Sequence, residues 1–525
     1  MNNKKLTPFW LKRSIVVLVI LGLFFRFYNL DRKVYWNDEA MTSLRISGHT
    51  STELIQNVYN TGLIEVGTLL ADYQYPNPNR TLQNSIDAFA QHPEHSPLYY
   101  LAARFWVQLF GNSIAILRSL SAWISILVIP CTYWLCRELF VSPTVAWIAM
   151  GIVAISPFHI LYAQEAREYS LWTVTILLSS WALLKAIRLE KKSLFSQTSI
   201  VHWGFYSITI ALGLYAYPFS GLVSIGHGLY LAFLPTSVKI QKLLAYLFSS
   251  LLGLLLFLPW LWIVIQNFDN FINHTISRTN PSENIHLVWT LNLNRIFFDV
   301  NQGSSPFNPL LYLILFLCIY AIFLLCRTTS AKTWLFVLTL MAVTGIVLIA
   351  PDILLGGRRS NNLRYAVPCV LGVQLAVAYL FSVKLNSAKK LEKQRWKYGI
   401  FALWFVGIIS CTVSSQVQVW WNKSYPKSRY NPPIARILNQ VDRPLVISDE
   451  VPGRILSLSH LLKPETQLEL VAGSHLPTLP IDRHLYLYRP SEELQQRIQQ
   501  AYPVKIEPAY EKGWLWKIII NFQVN

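Results

Sequence analysis

Residues 14–30, SIVVLVILGLFFRFYNL, run within a few residues into Tyr35-Trp36-Asn37-Asp38-Glu39-Ala40, and this junction decides how the rest of the chain is read. The first run is long and apolar enough to cross a bilayer. It lacks a small-residue cleavage site, contains Arg26, and is followed by many further apolar runs, so it is a membrane span and not a cleaved leader. Adjacent carboxylates where a membrane helix surfaces, wrapped in aromatics, cost desolvation energy and need a reason. Two reasons compete. The acids carry chemistry, or Asn37 or Asp38 N-caps an interfacial helix.

Composition supports the membrane reading. The 525 residues are 53% hydrophobic and 14% charged, whereas a soluble chain carries roughly a quarter charged residues. The net charge of +18 sits in short loops between apolar runs. That is the positive-inside pattern and argues against nucleic acid as the partner. Cys131, Cys136, Cys318, Cys326, Cys369 and Cys411 all fall in or beside apolar runs without metal-ligand spacing, so neither a disulfide framework nor a zinc site is expected.

Lys4, Lys5, Lys12 and Arg13 place the N-terminus in the cytoplasm, so the first helix delivers Asp38 and Glu39 to the outer side. An outer loop at about 31–113 follows, in which residues 44–59 suit a helix lying in the interface. Residues 98–110 are too few to span and are read as a re-entrant or juxtamembrane helix on that same side. Arg118 opens the second span. With this assignment the basic clusters at Lys185, Arg188, Lys191 and Lys192, and again from Lys384 to Lys397, fall inside. A long polar loop at 267–306 falls outside, and about eleven spans leave the C-terminus outside. Beyond Trp420 the composition turns soluble. Residues 445–448, 485–488 and 514–520 look like strands, and 455–462 and 492–500 like helices. No Gly-rich phosphate loop occurs there. The expected fold is an all-α polytopic membrane protein of the plasma (inner) membrane, residues 1–415, with a small extracytoplasmic α/β domain, residues 416–525.

In this topology Asp38, Glu39, His95, Arg118, Gln164, Glu165, Arg167, Tyr169 and Arg364 map to one surface. A transporter more often holds its ionisable groups near the bilayer midplane on interrupted helices. Polar groups collected at the water interface suit a reaction between a lipid-anchored reactant and a partner arriving from outside. Arginines on the outer side run against the inside bias, and guanidinium groups bind phosphate with paired hydrogen bonds. The plainer account is that they snorkel or pair with Glu165 and Glu168. Moving a sugar from a lipid phosphate to a hydroxyl needs a carboxylate to take the hydroxyl proton, for which Asp38 is the first choice. Glu39 is a substitute or positions acceptor or metal. A divalent metal is left open, since no two carboxylates stand at D-x-D spacing. His95 contacts phosphate or sugar or is structural, and Tyr99 stacks on substrate or belongs to an aromatic belt.

Asp38-Glu39 just beyond the first span, His95-Ser96-Pro97-Leu98-Tyr99-Tyr100, Arg118-Ser119-Leu120-Ser121, and Ser156-Pro157 through Gln164-Glu165-Ala166-Arg167-Glu168-Tyr169 occur in series. Together they resemble the lipid-phosphosugar-dependent membrane glycosyltransferases of the GT-C class. The chain is similar to bacterial relatives of the protein O-mannosyltransferases (glycosyltransferase family 39), including the lipid A aminoarabinose transferase and lipopolysaccharide-core transferases. The likeness covers about residues 10–240 and again Arg364-Tyr365 to Pro368. It implies Asp38 as catalytic base with Glu39 beside it, and Arg118, Arg167 and Arg364 on the lipid phosphate. It implies a polyprenyl-phosphate sugar donor and a lipid, glycan or protein acceptor. The loop at 267–306 and the C-terminal domain do not share the likeness, so protein O-mannosylation does not follow.

Two other classes use similar parts. A carrier of lipid-linked sugars would move donor across vesicles without forming a glycosidic bond. A glycan polymerase or ligase would use a lipid pyrophosphate oligosaccharide and need no carboxylate pair at Asp38.

Overall fold

The computed structural model describes residues 7–189, 196–235, 239–276, 284–423 and 428–520. Lys4, Lys5, Lys191 and Lys192, which carry part of the orientation argument, lie outside the described residues. By packing, the chain divides into two units. The first comprises Met1–Leu30, His92–Tyr99 and Leu117–Gln416; the second comprises Asp31–Gln91, Tyr100–Ile116 and Val417–Asn525.

The chain opens with α1 (Phe9–Phe27) and continues through α2 (Asn37–Ile46), α3 (Ser51–Val58), strand β1 (Leu63–Glu65), α4 (Val66–Tyr73) and α5 (Leu82–Ala90). Helix α6 (Leu98–Phe110) has 13 residues, begins after Pro97 and stops at Gly111, as its sequence dictates. Helices α7 (Ile114–Ile126) and α8 (Val128–Leu139) join into one 26-residue apolar stretch. Helices α9 (Pro143–Ala154) and α10 (Pro157–Ala163) meet at a bend of 54°. Pro157 lacks an N–H and biases Ser156 towards extended backbone, which ends α9 there. Long helices follow: α11 (Tyr169–Leu189), α12 (Gln197–Ala216), α13 (Ser220–Phe233) and α14 (Lys239–Gln266). Next come α15 (Phe268–Ile276), α16 (Ile285–Asn294), α17 (Pro309–Thr328), α18 (Ala331–Leu354), α19 (Val367–Leu385) and α20 (Lys390–Gln416).

Eight helices among the described residues are long and apolar enough to cross a membrane, or nine if the bent α9–α10 pair counts as one span. The eleven places read from the sequence also require α1 and α13. Helix α1 carries Lys12, Arg13 and Arg26, and α13 has only 14 residues, so neither passes a test of length and apolarity. The segment 267–306 departs from its reading as a polar loop, because it contains α15 and α16. Leu287 and Leu291 are buried, while Asn292 and Asn294 donate to the carbonyls of Asn361 and Leu310, each at 3.0 Å. Asn292 and Asn294 thus brace backbone within this segment.

Within the membrane unit the α9–α10 break is filled by polar groups. Ser156 Oγ donates to the Ile296 carbonyl at 2.7 Å, Gln374 Nε2 donates to Ser156 Oγ at 3.2 Å, and Gln374 Oε1 lies 2.9 Å from His159 Nε2. Arg26 of α1 caps the end of α9, donating to the carbonyls of Ala154 at 2.7 Å and Val153 at 3.4 Å, and to Ser125 Oγ at 3.0 Å. Carbonyls at a helix end have no partner within the helix, and a buried cation there answers both the hydrogen bonds and the helix dipole.

The second unit contains the sheet. After α20 come α21 (Asn431–Gln440), β2 (Pro444–Ser448), α22 (Pro452–Ser459), β3 (Gln467–Leu470), β4 (His484–Tyr488), α23 (Glu492–Ala501), β5 (Val504–Tyr510), α24 (Glu511–Trp514) and β6 (Leu515–Ile520). The six strands lie in the order β1-β3-β2-β4-β6-β5. Strands β3, β2 and β4 are parallel, and the others pair antiparallel. Leu445, Ile447, Leu485, Leu487, Leu494, Ile498 and Ile518 form its core. Strand β1, from the segment after α1, adds an edge by pairing Leu63 with Glu469.

Candidate active site

The acidic stretch begins a helix without capping it. The N-cap residue of α2 is Trp36, in extended backbone and without a side-chain cap, so Asn37, Asp38 and Glu39 occupy the first turn. Carboxylates in a first turn are favoured by the exposed N–H groups and the helix dipole. The two acids then differ. Glu39 is fully buried, and Lys423 Nζ, equally buried, donates to its Oε2 at 3.0 Å. Asp38 is half-buried, with Asn37 Nδ2 donating to its Oδ1 at 3.1 Å.

The turn leading into α2 is fixed by the sheet-bearing unit. Ser457 Oγ of α22 donates to the Tyr35 carbonyl at 2.7 Å, and the Tyr35 hydroxyl lies 2.6 Å from Ser43 Oγ. The Tyr35 ring meets His460 edge-on at 4.6 Å, and Val34 N–H donates to the Gln418 carbonyl at 2.8 Å. Asp38 therefore starts from a rigid backbone.

The membrane unit holds a second polar cluster. Arg167 Nη2 donates to Glu168 Oε1 at 3.1 Å and lies 3.4 Å from His95 Nδ1. His95 Nε2 in turn lies 3.7 Å from Glu94, and His92 Nδ1 lies 3.4 Å from the same carboxylate. The guanidinium carbons of Arg167 and Arg364 stand 5.8 and 5.7 Å from the Tyr169 ring centre, so two cations share one aromatic face or edge. Tyr99 OH lies 2.7 Å from Ser121 Oγ, which donates to the Arg167 carbonyl at 3.1 Å. Arg118 and Gln164 reach the end of α1 instead. Arg118 Nη1 donates to the Leu30 carbonyl at 2.7 Å, and Gln164 Nε2 donates to the carbonyls of Phe25 at 2.7 Å and Tyr28 at 2.8 Å. Glu165 is buried, its carbonyl accepting from Arg167 N–H at 2.7 Å.

Of the residues singled out from sequence, His95, Tyr99, Arg167, Tyr169 and Arg364 thus belong to one network, with Arg118, Gln164 and Glu165 on the neighbouring turns. Arg359, a further arginine of this part of the chain, pairs with Asp352 at 3.3 Å. Nothing in the sequence pointed to Lys423 as the partner of Glu39 or to His92 as a member of the arginine cluster, whereas the pairing of an outer arginine with Glu168, expected as the plainer account, is present. Among the described residues, no three His, Cys, Asp or Glu side chains come together as a metal site.

Residues 92–263 match the family described as dolichyl-phosphate-mannose-protein mannosyltransferase. No curated protein matches by sequence. The structure resembles ArnT from Cupriavidus metallidurans bound to undecaprenyl phosphate over 98% of both chains, with 12% identity and a TM-score of 0.55. Against the apo state of that protein the TM-score is 0.54, at 12% identity, over 96% of this chain and 97% of the other. It also resembles the oligosaccharyltransferase AglB from Archaeoglobus fulgidus, in complex with an inhibitory peptide and a dolichol-phosphate, at 14% identity and a TM-score of 0.50. That likeness covers 87% of this chain, which spans 64% of the length of the archaeal protein. The resemblance read from the motifs is borne out. The chain has the fold of the GT-C membrane glycosyltransferases, and its sequence match falls in the segment that carries most of those motifs.

Proposed function

We propose that this GT-C-fold membrane protein transfers a sugar from a polyprenyl-phosphate carrier to a hydroxyl of a lipid, envelope glycan or protein, outside the plasma (inner) membrane. Asp38 takes the proton from the acceptor hydroxyl as its oxygen bonds to the anomeric carbon. The bond from that carbon to the phosphate oxygen breaks, and the polyprenyl phosphate leaves with the electron pair, inverting the configuration. Arg118, Arg167 and Arg364 offset the charge that grows on the departing phosphate. His95, Tyr99, Glu165 and Tyr169 shape the donor end, and Gln164 acts through the end of α1 that it holds.

The observation that carries this reading is the contrast inside the first turn of α2. Glu39 is fully buried and paired with Lys423, whereas Asp38, in the same turn, stays half-buried and within reach of solvent. A carboxylate in that position suits a base, and its ion-paired neighbour suits a group that positions it. The lipid phosphates named in the ArnT and AglB structures support a lipid-linked donor.

The test is Asp38→Asn in membranes supplied with labelled polyprenyl-phosphate sugar. General-base removal is expected to cost about 10²- to 10⁴-fold in transfer, with the donor still bound. Full transfer by this variant would remove Asp38 as the base. Donor crossing vesicles without a glycosidic product would favour the carrier instead.

A further inference from the structure

The C-terminal sheet has a crevice that the transfer reaction does not use. Its parallel strands run β3-β2-β4, so the chain leaves the central strand β2, passes to one side, and then crosses to the other. In open α/β sheets such a reversal leaves a crevice beyond the carboxyl ends of the strands, where ligands characteristically bind. Here that place is a cavity of about 460 Å³ between Asp449 after β2, Ala472 after β3 and Ser491 after β4. A second hollow of about 320 Å³ continues it along α23, sharing Gly473, Glu493 and Arg497.

The rim is fixed before any ligand arrives. Asn60 accepts from Ala472 N–H at 2.8 Å and donates to its carbonyl at 3.2 Å, while Tyr59 OH donates to the Glu450 carbonyl at 2.6 Å. Asp449 accepts from Ser491 Oγ at 2.5 Å and from its N–H at 3.0 Å, joining the ends of β2 and β4. Arg497 crosses the floor to the Gly473 carbonyl. A rigid rim lowers the ordering cost of binding.

The lining selects the ligand class. One wall is apolar and open to solvent, with Ile55 38% and Val451 52% exposed. The same lining carries the polar side chains of Glu493 and Arg497, which Gln496 and Gln500 join along one side of α23 in the second hollow. A pyranose presents this same alternation, a C–H face and a rim of hydroxyls that both donate and accept. Phosphate is disfavoured, because Asp449 and Glu493 outnumber the single cation Arg497 in the lining, Glu450 being already paired with Arg454 and Arg489.

We propose that this crevice binds an uncharged saccharide. That the saccharide is part of the acceptor or product glycan rests on the transfer reading above; the binding itself does not. The test is saturation-transfer NMR on the full chain in detergent, with a panel of uncharged mono- and disaccharides, inorganic phosphate and a basic peptide as separate probes. At least one saccharide should bind, and Glu493→Gln with Arg497→Gln should weaken it tenfold or more while the sheet stays folded by circular dichroism. No saccharide binding, binding unchanged in the double variant, or binding of phosphate or the peptide alone each overturns the proposal. If saccharide binding is lost in the double variant while Asp38→Asn keeps full transfer, the crevice stands and the transfer reading falls. If Asp38→Asn abolishes transfer and the double variant binds normally, the reverse holds.

Discussion

The α1–α9 junction of the membrane unit and the sheet-bearing unit treat buried charge differently, although elsewhere in the membrane unit Arg167 pairs with Glu168 and Arg359 with Asp352. In the first, no carboxylate among the described residues lies beside Arg26, which gives its donors to Ser125 Oγ and to the carbonyls of Gly22, Ala154 and Val153. In the second, Lys423 meets Glu39, and Arg454 and Arg489 both meet Glu450. The cause is what each setting leaves unsatisfied. Among apolar helices, the open groups are backbone carbonyls at breaks and ends, for which neither water nor lipid offers a partner. In a sheet the ladders satisfy the backbone, so buried charge is answered by opposite charge. Arg104, donating to the Ile46 carbonyl at 2.5 Å and to Ser85 Oγ at 2.9 Å, is the sheet-bearing unit's exception, and it too serves a helix end.

The contrast breaks most visibly at Lys423. Lys423→Met would remove the buried cation that meets Glu39, at a cost of about 3–5 kcal/mol. Adding Glu39→Gln should recover most of it, because a neutral pair needs no counter-charge. Thermal unfolding of both variants in detergent checks this; a single variant as stable as its parent would show the pair to be incidental. Arg26→Leu is the matching change in the membrane unit and should cost about 3 kcal/mol, from the orphaned carbonyls of α9. No second substitution of a carboxylate can rescue it, since none faces the guanidinium.

Two close approaches sharpen the same division. A Cβ on Gly22 would lie 2.2 Å from the backbone oxygen of Ala154, so α1 would have to move off α9. A Cβ on Gly453 would lie 2.4 Å from Asn37 Oδ1, the end of a side chain that can turn away. Gly22→Ala should therefore cost about 3 kcal/mol and Gly453→Ala about 1 kcal/mol, from overpacking. Because Asn37 also donates to Asp38, Gly453→Ala should lower transfer more than stability, which the ratio of kcat to thermal midpoint reads directly.

What the chain revealed before folding follows from the same physics. Helix α6 was legible to the residue, because Pro97 and Gly111 punctuate thirteen residues that are too few to cross a bilayer. The strands 445–448 and 485–488 were legible as short buried runs. Strand β3 was not, because Gln467-Leu468-Glu469-Leu470 alternates as if Glu469 faced water, yet Glu469 is 2% exposed. Strand β1 has three residues and exists only through its register with β3. At the candidate site, the acids and arginines stood out by their place beside apolar runs. Lys423 did not, since nothing local ties it to a carboxylate 384 positions earlier.

Glu450 and Glu469 give the finest version of the comparison, because the one is half-buried just beyond β2, the other buried within β3, and their surroundings are opposite. Burial pushes Glu450 up, but hydrogen bonds from Arg454, Arg489 and the Val451 N–H outweigh it and hold the carboxyl below its ordinary 4.5. Burial also pushes Glu469 up, and there only the Thr478 contacts and the nearby His475 oppose it, leaving the carboxyl above 4.5 with Oε2 unpartnered. A depressed carboxyl contributes stability that is present above the unfolded value and lost as pH falls through the folded one; a raised carboxyl contributes below it and loses that as pH rises. Glu450→Gln should therefore flatten the acid limb of the sheet's stability profile. Glu469→Gln should stabilise it at neutral pH, a gain that fades as pH falls through the folded value of Glu469. Each effect is about 1 kcal/mol, read by hydrogen exchange in β2 and β3 across the acid-to-neutral range. Equal slopes in the two variants would mean that burial alone sets both carboxyls, and that the guanidinium pair at Glu450 contributes nothing.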